Sequence, residues 1–220
     1  MQSDPKKQSK LKRLASINRS EILWLNTHEF LPAKPVPGAQ CRALTSKDMH
    51  QLSRLKGFGI SKQLAKEFDD LGFVAIGMFV NDKLAGLSCF ASGNVPARYN
   101  RQAEHLDGLD ITLPAGTRYL FNAIILPQFR GQRLHSAVVR YAIDHFGKDT
   151  VHTIFTHYDV RNKAFLNSSL DQGFERTGTA LELCLLGKSL HRLPKPVDSV
   201  TGEVGDDRED ERAIVMSKAA

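Results

Sequence analysis

Apolar residues along the chain recur with two periods, and these periods predict strands alternating with helices. Leu134, Val138, Tyr141 and His145 follow helical spacing and place one amphipathic face on a helix at 133–146. Other apolar periods predict helices over 46–55, 60–71 and 161–172. Short apolar runs bounded by turn residues predict strands at 41–45, 73–80, 84–91, 119–126, 151–158, 174–186 and 213–216.

The order of these elements predicts the class of fold. The strand at 119–126, the helix at 133–146 and the strand at 151–158 make a unit long enough for a right-handed parallel crossover. The strands at 73–80 and 84–91 predict an antiparallel hairpin. We therefore expect an α/β body with a mixed sheet.

The N-terminal stretch differs in composition from the rest of the chain. Residues 1–20 carry six basic side chains and one acid, whereas the chain as a whole has a net charge of +6. A proline-rich run at 32–38 is typical of a linker. We therefore expect residues 1–38 to form a basic appendage, with the apolar run at 22–25 docked on the body, and residues 39–220 to form the domain.

The distribution of charge disfavours a nucleic-acid-binding domain, because the body beyond residue 20 is close to neutral. No apolar run approaches the roughly 20 residues that span a bilayer, so we expect no membrane segment. No apolar stretch typical of a signal peptide follows the start. Three scattered cysteines favour reduced thiols and a cytoplasmic protein.

The turn after the strand at 119–126 is a candidate anion site. Gly131 lets the backbone approach a ligand closely, and Arg130 and Arg133 add positive charge. The helix that follows has unpartnered N–H groups in its first turn, and its dipole adds about half a positive charge. The turn lacks G-x-G-x-x-G and G-x-x-x-x-G-K-[ST], which disfavours a dinucleotide fold and a P-loop nucleotidase.

This turn also carries a family resemblance. The segment 122–135 reads NAIILPQFRGQRLH and resembles the acyl-CoA loop of the GNAT superfamily of N-acetyltransferases, which reads [QR]-x-x-G-x-[GA] after a strand. Gln128 and Gly131 match that pattern. Arg133 stands where the family has Gly or Ala.

Three further segments are similar to the same family, so the resemblance covers about residues 40–218. Asn162, Gly173 and Phe174 match the family's N-x-x-A-x-x-[LF]-Y-x-x-x-G-F segment, with Ser169 at the Tyr position. The segments 42–48 and 212–218 resemble its opening and closing strands. The resemblance implies a mixed, mostly antiparallel sheet with central splayed parallel strands, flanked by helices.

The resemblance implies acetyl-CoA as the acyl donor, bound where the two parallel strands diverge. The turn amides would hold the pyrophosphate, and strand amides would hold the pantetheine and polarise the thioester. The side chain of Arg133 would either crowd the cofactor or reach a phosphate with its guanidinium, and we favour the second. The residues implied to bind the cofactor are Ile124, Ile125, Leu126, Gln128, Arg130, Gly131, Gln132, Arg133, Leu134, Asn162 and Ser169.

The catalytic positions depart from the family pattern. Asn122 lies where a catalytic Glu is often found, and an amide cannot act as a base. Ser169 replaces the Tyr that often protonates the thiolate, so either Ser169 contacts the sulfur or Tyr158 supplies the proton. Arg98, Tyr99 and His105, in the long segment 93–117, are candidates for binding the acceptor. We interpret His157 as structural and expect no metal.

Three functions remain open from the sequence. The first is an acetyl-CoA-dependent N-acetyltransferase that acts on a small-molecule or protein amine. The second is an acyl-CoA-binding regulatory module that has lost its catalytic acid. The third is a protein that contacts nucleic acid through the basic arm, which the near-neutral charge of the body disfavours. The sequence leaves a homodimer open.

Overall fold

The computed structural model describes residues 15–99, 110–185, 188–192 and 214–218, and the side chains of residues 19–99 and 110–181. Eleven strands are present in these ranges: β1 Ala15–Asn26, β2 Ala39–Leu44, β3 Val74–Val80, β4 Lys83–Ala91, β5 Asn94–Val95, β6 Ile111–Thr112, β7 Thr117–Ile125, β8 Thr153–Asp159, β9 Glu175–Leu185, β10 Lys188–Arg192 and β11 Ile214–Lys218. Four α-helices accompany them: α1 Ser46–Leu52, α2 Lys62–Glu67, α3 Leu134–Phe146 and α4 Lys163–Leu170.

Nine of these strands form one sheet, in the order β11, β10, β9, β1, β8, β7, β4, β3, β2. The pair β7–β8 is parallel, and the other described pairs are antiparallel. Strands β5 and β6 form a separate small ladder. The predicted fold class is therefore confirmed: the sheet is mixed, mostly antiparallel and flanked by helices.

The parallel strands β7 and β8 pair over only part of their length. Their register runs from Thr117 opposite Thr153 to Leu120 opposite Thr156. Beyond that point β7 continues to Ile125 and β8 to Asp159 without a recorded pairing between them. The two central strands therefore diverge at their carboxyl ends, as the resemblance implied.

A β-bulge in β7 lies at the start of this divergence. Leu87 of β4 lies opposite Ile124 and Cys89 lies opposite Phe121, so two residues of β7 face a single residue of β4. Asn122, the first of the two, has a positive φ of 49°. A bulge bends its strand and increases its local twist, which accounts for β7 turning away from β8 here.

Each face of the sheet has its own hydrophobic core. On one face, α3 and α4 cover a cluster that includes Leu23, Leu120, Ile154 and Tyr158. On the other face, α1 and α2 cover a second cluster, which includes Tyr119 and Phe121. Successive residues of β7 and β8 therefore point alternately into the two cores, as the period of a strand requires.

The helix starts follow the capping residues in the sequence. Thr45 accepts a hydrogen bond from the Asp48 amide, and Asp48 accepts one from the Thr45 amide in return. The predicted helix at 133–146 begins at Leu134 and ends at Phe146. No described helix is long and apolar enough to cross a membrane.

The N-terminal region departs most from the expectation. Residues Ala15–Asn26 form an inner strand that pairs with β8 on one side and β9 on the other. Leu23 and Leu25 are fully buried. This corrects the expected appendage at 1–38 as far as residues 15–26 are concerned, whereas residues 1–14 lie outside the described residues. The predicted closing strand, β11, pairs with β10 at the edge of the sheet.

Candidate active site

A cleft of about 220 Å³ opens where β7 and β8 diverge. Its lining comes from both faces of the sheet: Leu120 and Tyr158 belong to the core under α3 and α4, whereas Tyr119 and Phe121 belong to the core under α1 and α2. The cleft therefore joins the two faces through the gap between the strands. The remaining lining residues are Tyr99, Asn122, Ala123, Thr156, His157, Asp159, Asn162 and Phe165.

The turn between β7 and α3 presents a row of main-chain donors. The Phe129 and Arg130 amides are used inside the turn, by the carbonyls of Leu126 and Pro127. Within the described residues, the amides of 131–135 have no recorded hydrogen-bond acceptor. A Cβ added at Gly131 would meet no atom within 4 Å, so the space beside the turn is open. This arrangement suits an anion such as a diphosphate.

The side chains of this turn differ in exposure, and those of Gln128, Arg130 and Arg133 are exposed. Arg133 is the N-cap of α3 and has a left-handed backbone, with φ 56° and ψ 26°. That conformation favours glycine, which is the residue type expected from the family pattern. Gln128 is exposed, Gln132 is half-buried, and the Arg130 Nε donates to the Ile125 carbonyl at 3.1 Å. Leu134 is buried, which leaves only its main chain for a ligand at the turn.

The three predicted strand donors have different surroundings. The Leu126 amide donates to the Ala85 carbonyl at 2.8 Å, so this predicted donor is engaged within the sheet. Amides alternate in direction along a strand, and the Ile125 amide therefore points away from β4 and toward the gap. By the same alternation the Ile124 amide points toward β4. Ile125 is thus the one of the three whose amide points toward the gap. Of the residues predicted to bind the cofactor, Asn162 is the one that lines the cleft, whereas Ile124, Ile125, Leu126 and the turn residues 128–134 lie outside its lining.

Asn162 lies on the α4 side of the cleft and caps that helix. Its Oδ1 accepts a hydrogen bond from the Phe165 amide at 3.2 Å. The side-chain NH2 group remains to donate to a ligand. Phe165, one turn further on, packs its ring 5.7 Å from that of Tyr158, and both line the cleft.

The hydroxyl of Tyr158 is committed to a neighbour from the N-terminal strand. It donates to Glu21 Oε2 at 2.6 Å, and the same carboxylate oxygen lies 3.3 Å from Arg176 Nε. Burial, together with the bond to Glu21, raises the pKa of Tyr158 above its ordinary value. The phenol therefore stays protonated with its hydrogen aimed at Glu21, an arrangement that does not suit donation to a thiolate.

The other two predicted catalytic residues, Ser169 and Asn122, have side chains that are buried or bonded to the protein itself. Ser169 is fully buried, is not among the residues that line the cleft, and its Oγ has no partner among the described residues. Asn122 lines the cleft, and its side-chain Nδ2 donates to the Phe58 carbonyl at 3.3 Å. The structure thus brings Asn122 and Tyr158 to the cleft and places Ser169 inside the body.

Two of the three predicted acceptor-binding residues form a clamp with Glu67. Tyr99 donates its hydroxyl to Glu67 Oε2 at 2.5 Å, and Arg98 Nη2 lies 2.6 Å from the same atom. These bonds, that of Tyr99 first, lower the pKa of Glu67 to about 2. The ring of Tyr99 lines the cleft, whereas Arg98 does not. His105, the third prediction, lies outside the described residues.

Several cleft residues were missed by sequence reasoning. Tyr119, Phe121 and Asp159 line the cleft, and the Tyr119 hydroxyl shares a short hydrogen bond with His157 Nδ1. Asp159 is paired with Arg161. Strand parity places 119, 121, 157 and 159 on one face, so the predicted splay could have identified them. No cluster of metal-ligating side chains occurs in the part of the chain that the structure describes.

Comparisons with known proteins support the fold. No protein-family model matches the chain, and no curated protein sequence matches it. A structure of a GCN5-related N-acetyltransferase from Kribbella flavida aligns with a TM-score of 0.51 and 11% identity, over 80% of this chain and 62% of that one. A GNAT-family acetyltransferase from Colwellia psychrerythraea gives 0.51 and 13%, over 81% and 61%.

A third solved structure has no assigned function. This conserved protein from Staphylococcus epidermidis aligns with a TM-score of 0.52 and 13% identity, over 83% of this chain and 68% of that one. The chain spans less than two thirds of the two acetyltransferases described above. At these identities the likeness is one of fold, and the fold is that of GNAT acetyltransferases.

Proposed function

We propose that the protein is an acetyl-CoA-dependent N-acyltransferase that moves an acetyl group to a primary amine. The observation that carries this proposal is the cleft that passes through the sheet where β7 and β8 diverge. The lining of the cleft comes from both the α3–α4 face and the α1–α2 face, so a donor and an acceptor could approach one reacting point from opposite sides of the sheet.

The donor fits the α3–α4 side. Its diphosphate would accept hydrogen bonds from the amides of 131–135, where Gly131 leaves open space. Its pantetheine arm would pass the Ile125 amide and the NH2 group of Asn162. The helix dipole and the exposed Arg133 guanidinium add favourable charge at the same end. Acetyl-CoA supplies an activated acyl group on a thiol leaving group.

The chemistry that follows needs little beyond positioning. The neutral amine nitrogen attacks the thioester carbonyl carbon, the C–S bond breaks, and the proton that the nitrogen loses goes to the thiolate or to water. The products are an amide and a free thiol. A thiol has a pKa near 8.5, so its anion leaves without obligatory protonation. An oriented amide donor at Ile125 would stabilise the oxyanion, on the order of 3 kcal/mol.

The proposal is tested at Gly131 with a pair of variants. Gly131→Asp and Gly131→Asn place side chains of the same size at the same left-handed position, and they differ in charge. We expect Gly131→Asp to weaken acetyl-CoA binding about tenfold relative to Gly131→Asn, because a carboxylate there repels the diphosphate. Titration calorimetry measures both. Equal affinities would remove the turn from the proposed site.

An acyl-CoA-binding regulatory module is the second candidate. It is favoured by the surroundings of the two predicted proton donors. The Tyr158 hydroxyl donates to Glu21, and Ser169 is buried, so neither hydroxyl is directed at a ligand in the cleft. Thiol release separates the two functions. Release above the rate of hydrolysis with any primary amine supports the transferase, whereas tight acetyl-CoA binding without release supports the module.

A further inference from the structure

Asn122 holds a backbone conformation that few residue types tolerate. It is the first of the two bulge residues of β7, and its φ of 49° lies in the left-handed region. Asparagine is one of the few residues besides glycine that adopt this region routinely. Because the bulge bends the strand, the conformation of Asn122 sets the course of β7 from there to its end.

The loop that joins α1 to α2, residues 53–61, lies against this bulge. Its residues Phe58 and Ile60 are buried in the core under α1 and α2. The Phe58 carbonyl accepts the hydrogen bond from Asn122 Nδ2 at 3.3 Å. The side chain of Asn122 therefore bridges the bulge of β7 and a loop that is itself anchored in the core.

Gly59 lets this loop approach β7 closely. A Cβ added at Gly59 would lie 2.8 Å from Asn122 Oδ1 and 2.9 Å from Ile124 Cδ1, so a larger residue would displace them. A Cβ added at Gly57 would lie 3.6 Å from Leu126 Cδ2, which is an ordinary van der Waals contact. Both ends of the Asn122 amide thus meet the loop, the nitrogen at Phe58 and the oxygen at Gly59.

Asn122 also interacts with the neighbouring strand β4. Cys89 of β4 is fully buried and lies opposite Phe121, the residue before the bulge. Burial raises the pKa of the Cys89 thiol to about 12, and a hydrogen bond with the Asn122 side chain opposes part of that rise. The Asn122 side chain therefore joins the bulge to β4 as well as to the loop.

The edge of β7 that faces β8 is open beyond the bulge. The parallel pairing ends at Leu120 opposite Thr156, and Asn122 lines the cleft that opens there. The Ile125 amide and the turn amides of 131–135, which are the main-chain donors of the proposed site, follow in the chain. Their positions depend on the course that β7 takes, and that course is fixed by contacts on its other sides.

We propose that Asn122 is a positioning residue for the acyl donor, which holds the diverging end of β7 by bridging it to the 53–61 loop. This inference rests on the proposed function and gives a role to a residue whose amide cannot take the proton from the amine. A displacement of about 1 Å in a reacting group costs on the order of a hundredfold in rate, so a residue that fixes the strand matters to the reaction.

Titration calorimetry of the full-length protein with acetyl-CoA tests this role without requiring an acceptor. Asn122→Gly keeps a residue type that suits a positive φ and removes the side-chain amide. We expect this variant to bind acetyl-CoA about fivefold more weakly than the wild type does. Because glycine tolerates the left-handed backbone, backbone strain would not explain such a loss.

Gly59 gives access to the same contact from a residue that does not line the cleft. Gly59→Ala displaces the Asn122 amide, so we expect it to weaken acetyl-CoA binding about threefold. Gly57→Ala is the matched control, since φ is positive at both glycines and the Cβ at 57 has room. We expect it to lose stability to urea, as Gly59→Ala does, and to keep the affinity of the wild type.

The double variant of Asn122→Gly and Gly59→Ala tests the bridge itself. It should bind acetyl-CoA within about twofold of Asn122→Gly alone, because the alanine acts through an amide that is no longer present. Additive losses would contradict the bridge. A loss in Asn122→Gly with wild-type affinity in Gly59→Ala would also contradict it, because Asn122 would then contact the donor directly.

The remaining outcomes separate this inference from the proposed function. Wild-type affinity in Asn122→Gly, or equal losses of affinity in Gly57→Ala and Gly59→Ala, would overturn the positioning role and leave the acetyl-CoA site intact. Failure of the wild-type protein to bind acetyl-CoA would instead refute the proposed function.

Discussion

Tyr158 donates a hydrogen bond to Glu21 at 2.6 Å, and this bond ties the wall of the cleft to the N-terminal strand. The side chain of Glu21 is only 14% exposed, and Arg176 is its other described partner. The two residues are 137 positions apart in the chain. The cleft is therefore completed by a strand that precedes the rest of the domain in sequence.

Replacing Tyr158 with Phe tests whether its hydroxyl transfers a proton. We expect kcat to fall less than tenfold, because the hydroxyl is aimed at Glu21. We expect the free energy of unfolding to fall by about 1–2 kcal/mol, because a buried carboxylate oxygen loses a donor. Steady-state thiol release and urea denaturation measure the two effects.

Glu21→Gln is the matched control for this variant. It keeps the size of the side chain, and a double-mutant cycle with Tyr158→Phe should give a coupling energy of about 0.5–2 kcal/mol. A drop in kcat of a hundredfold or more in Tyr158→Phe, with no coupling to Glu21, would identify the phenol as the acid that the sequence suggested.

His135 predicts a loss of stability in mild acid. Burial lowers its pKa to about 4, and its Nδ1 accepts from Gln172 Nε2 at 2.9 Å. The unfolded chain has the ordinary His pKa near 6.5 and so binds a proton that the folded chain excludes. We therefore expect His135 to lower the free energy of unfolding by roughly 3 kcal/mol as pH falls from 7 to 4.

Urea denaturation at pH 7.5, 5.5 and 4.5 measures this loss. His135→Asn retains an acceptor for Gln172 and cannot titrate, so its stability should vary less with pH than that of the wild type. His145→Asn, at an exposed position on the same helix, should behave as the wild type does. If the stability of His135→Asn depended on pH as that of the wild type does, the loss of stability in acid would be due to groups other than His135.

The parts of the fold that the sequence predicted are those encoded locally. The helix at 133–146 has a strong period, and the capping pair Thr45 and Asp48 marks the start of α1. Strand β1 was missed because its partners lie more than 125 residues away in the chain. The basic residues before it favoured an appendage, and the alternation of Leu23 and Leu25 was too short to outweigh them.

The sequence predicted the main-chain features of the candidate site better than the directions of its side chains. Gly131 and Asn162 follow from the loop and cap patterns, which describe main-chain geometry. The direction of a side chain depends on packing, which no local pattern encodes. Ser169 thus points into the body, and the Tyr158 hydroxyl bonds to Glu21, a residue of the missed strand.

Arg133 predicts opposite changes in stability and in ligand affinity. Its φ of 56° strains any residue with a Cβ, so Arg133→Gly should raise the free energy of unfolding by about 0.5–1 kcal/mol. The same change removes a cation from the proposed diphosphate site and should weaken acetyl-CoA binding about fivefold. Denaturant titration and calorimetry measure the two quantities.

Two matched variants accompany this prediction. Arg133→Lys keeps both the charge and the strain, so its stability and affinity should stay close to those of the wild type. Gly131→Ala should lower the free energy of unfolding by about 1 kcal/mol. The added Cβ would have room, but the φ of 77° at this position is unfavourable for alanine. A stability gain in Arg133→Gly without a loss of affinity would exclude Arg133 from the phosphate contact.

Because β1 is an inner strand of the sheet, we expect substitutions of its buried residues to destabilise the whole domain. Leu23 is fully buried between β8 and β9, so Leu23→Ala should lower the free energy of unfolding by about 2–5 kcal/mol. Leu31 is 60% exposed, and Leu31→Ala should change the free energy of unfolding by less than about 0.5 kcal/mol. Urea denaturation compares the two. Equal, small losses would mean that β1 is docked weakly, and the Glu21–Tyr158 bond could then not hold the wall of the cleft.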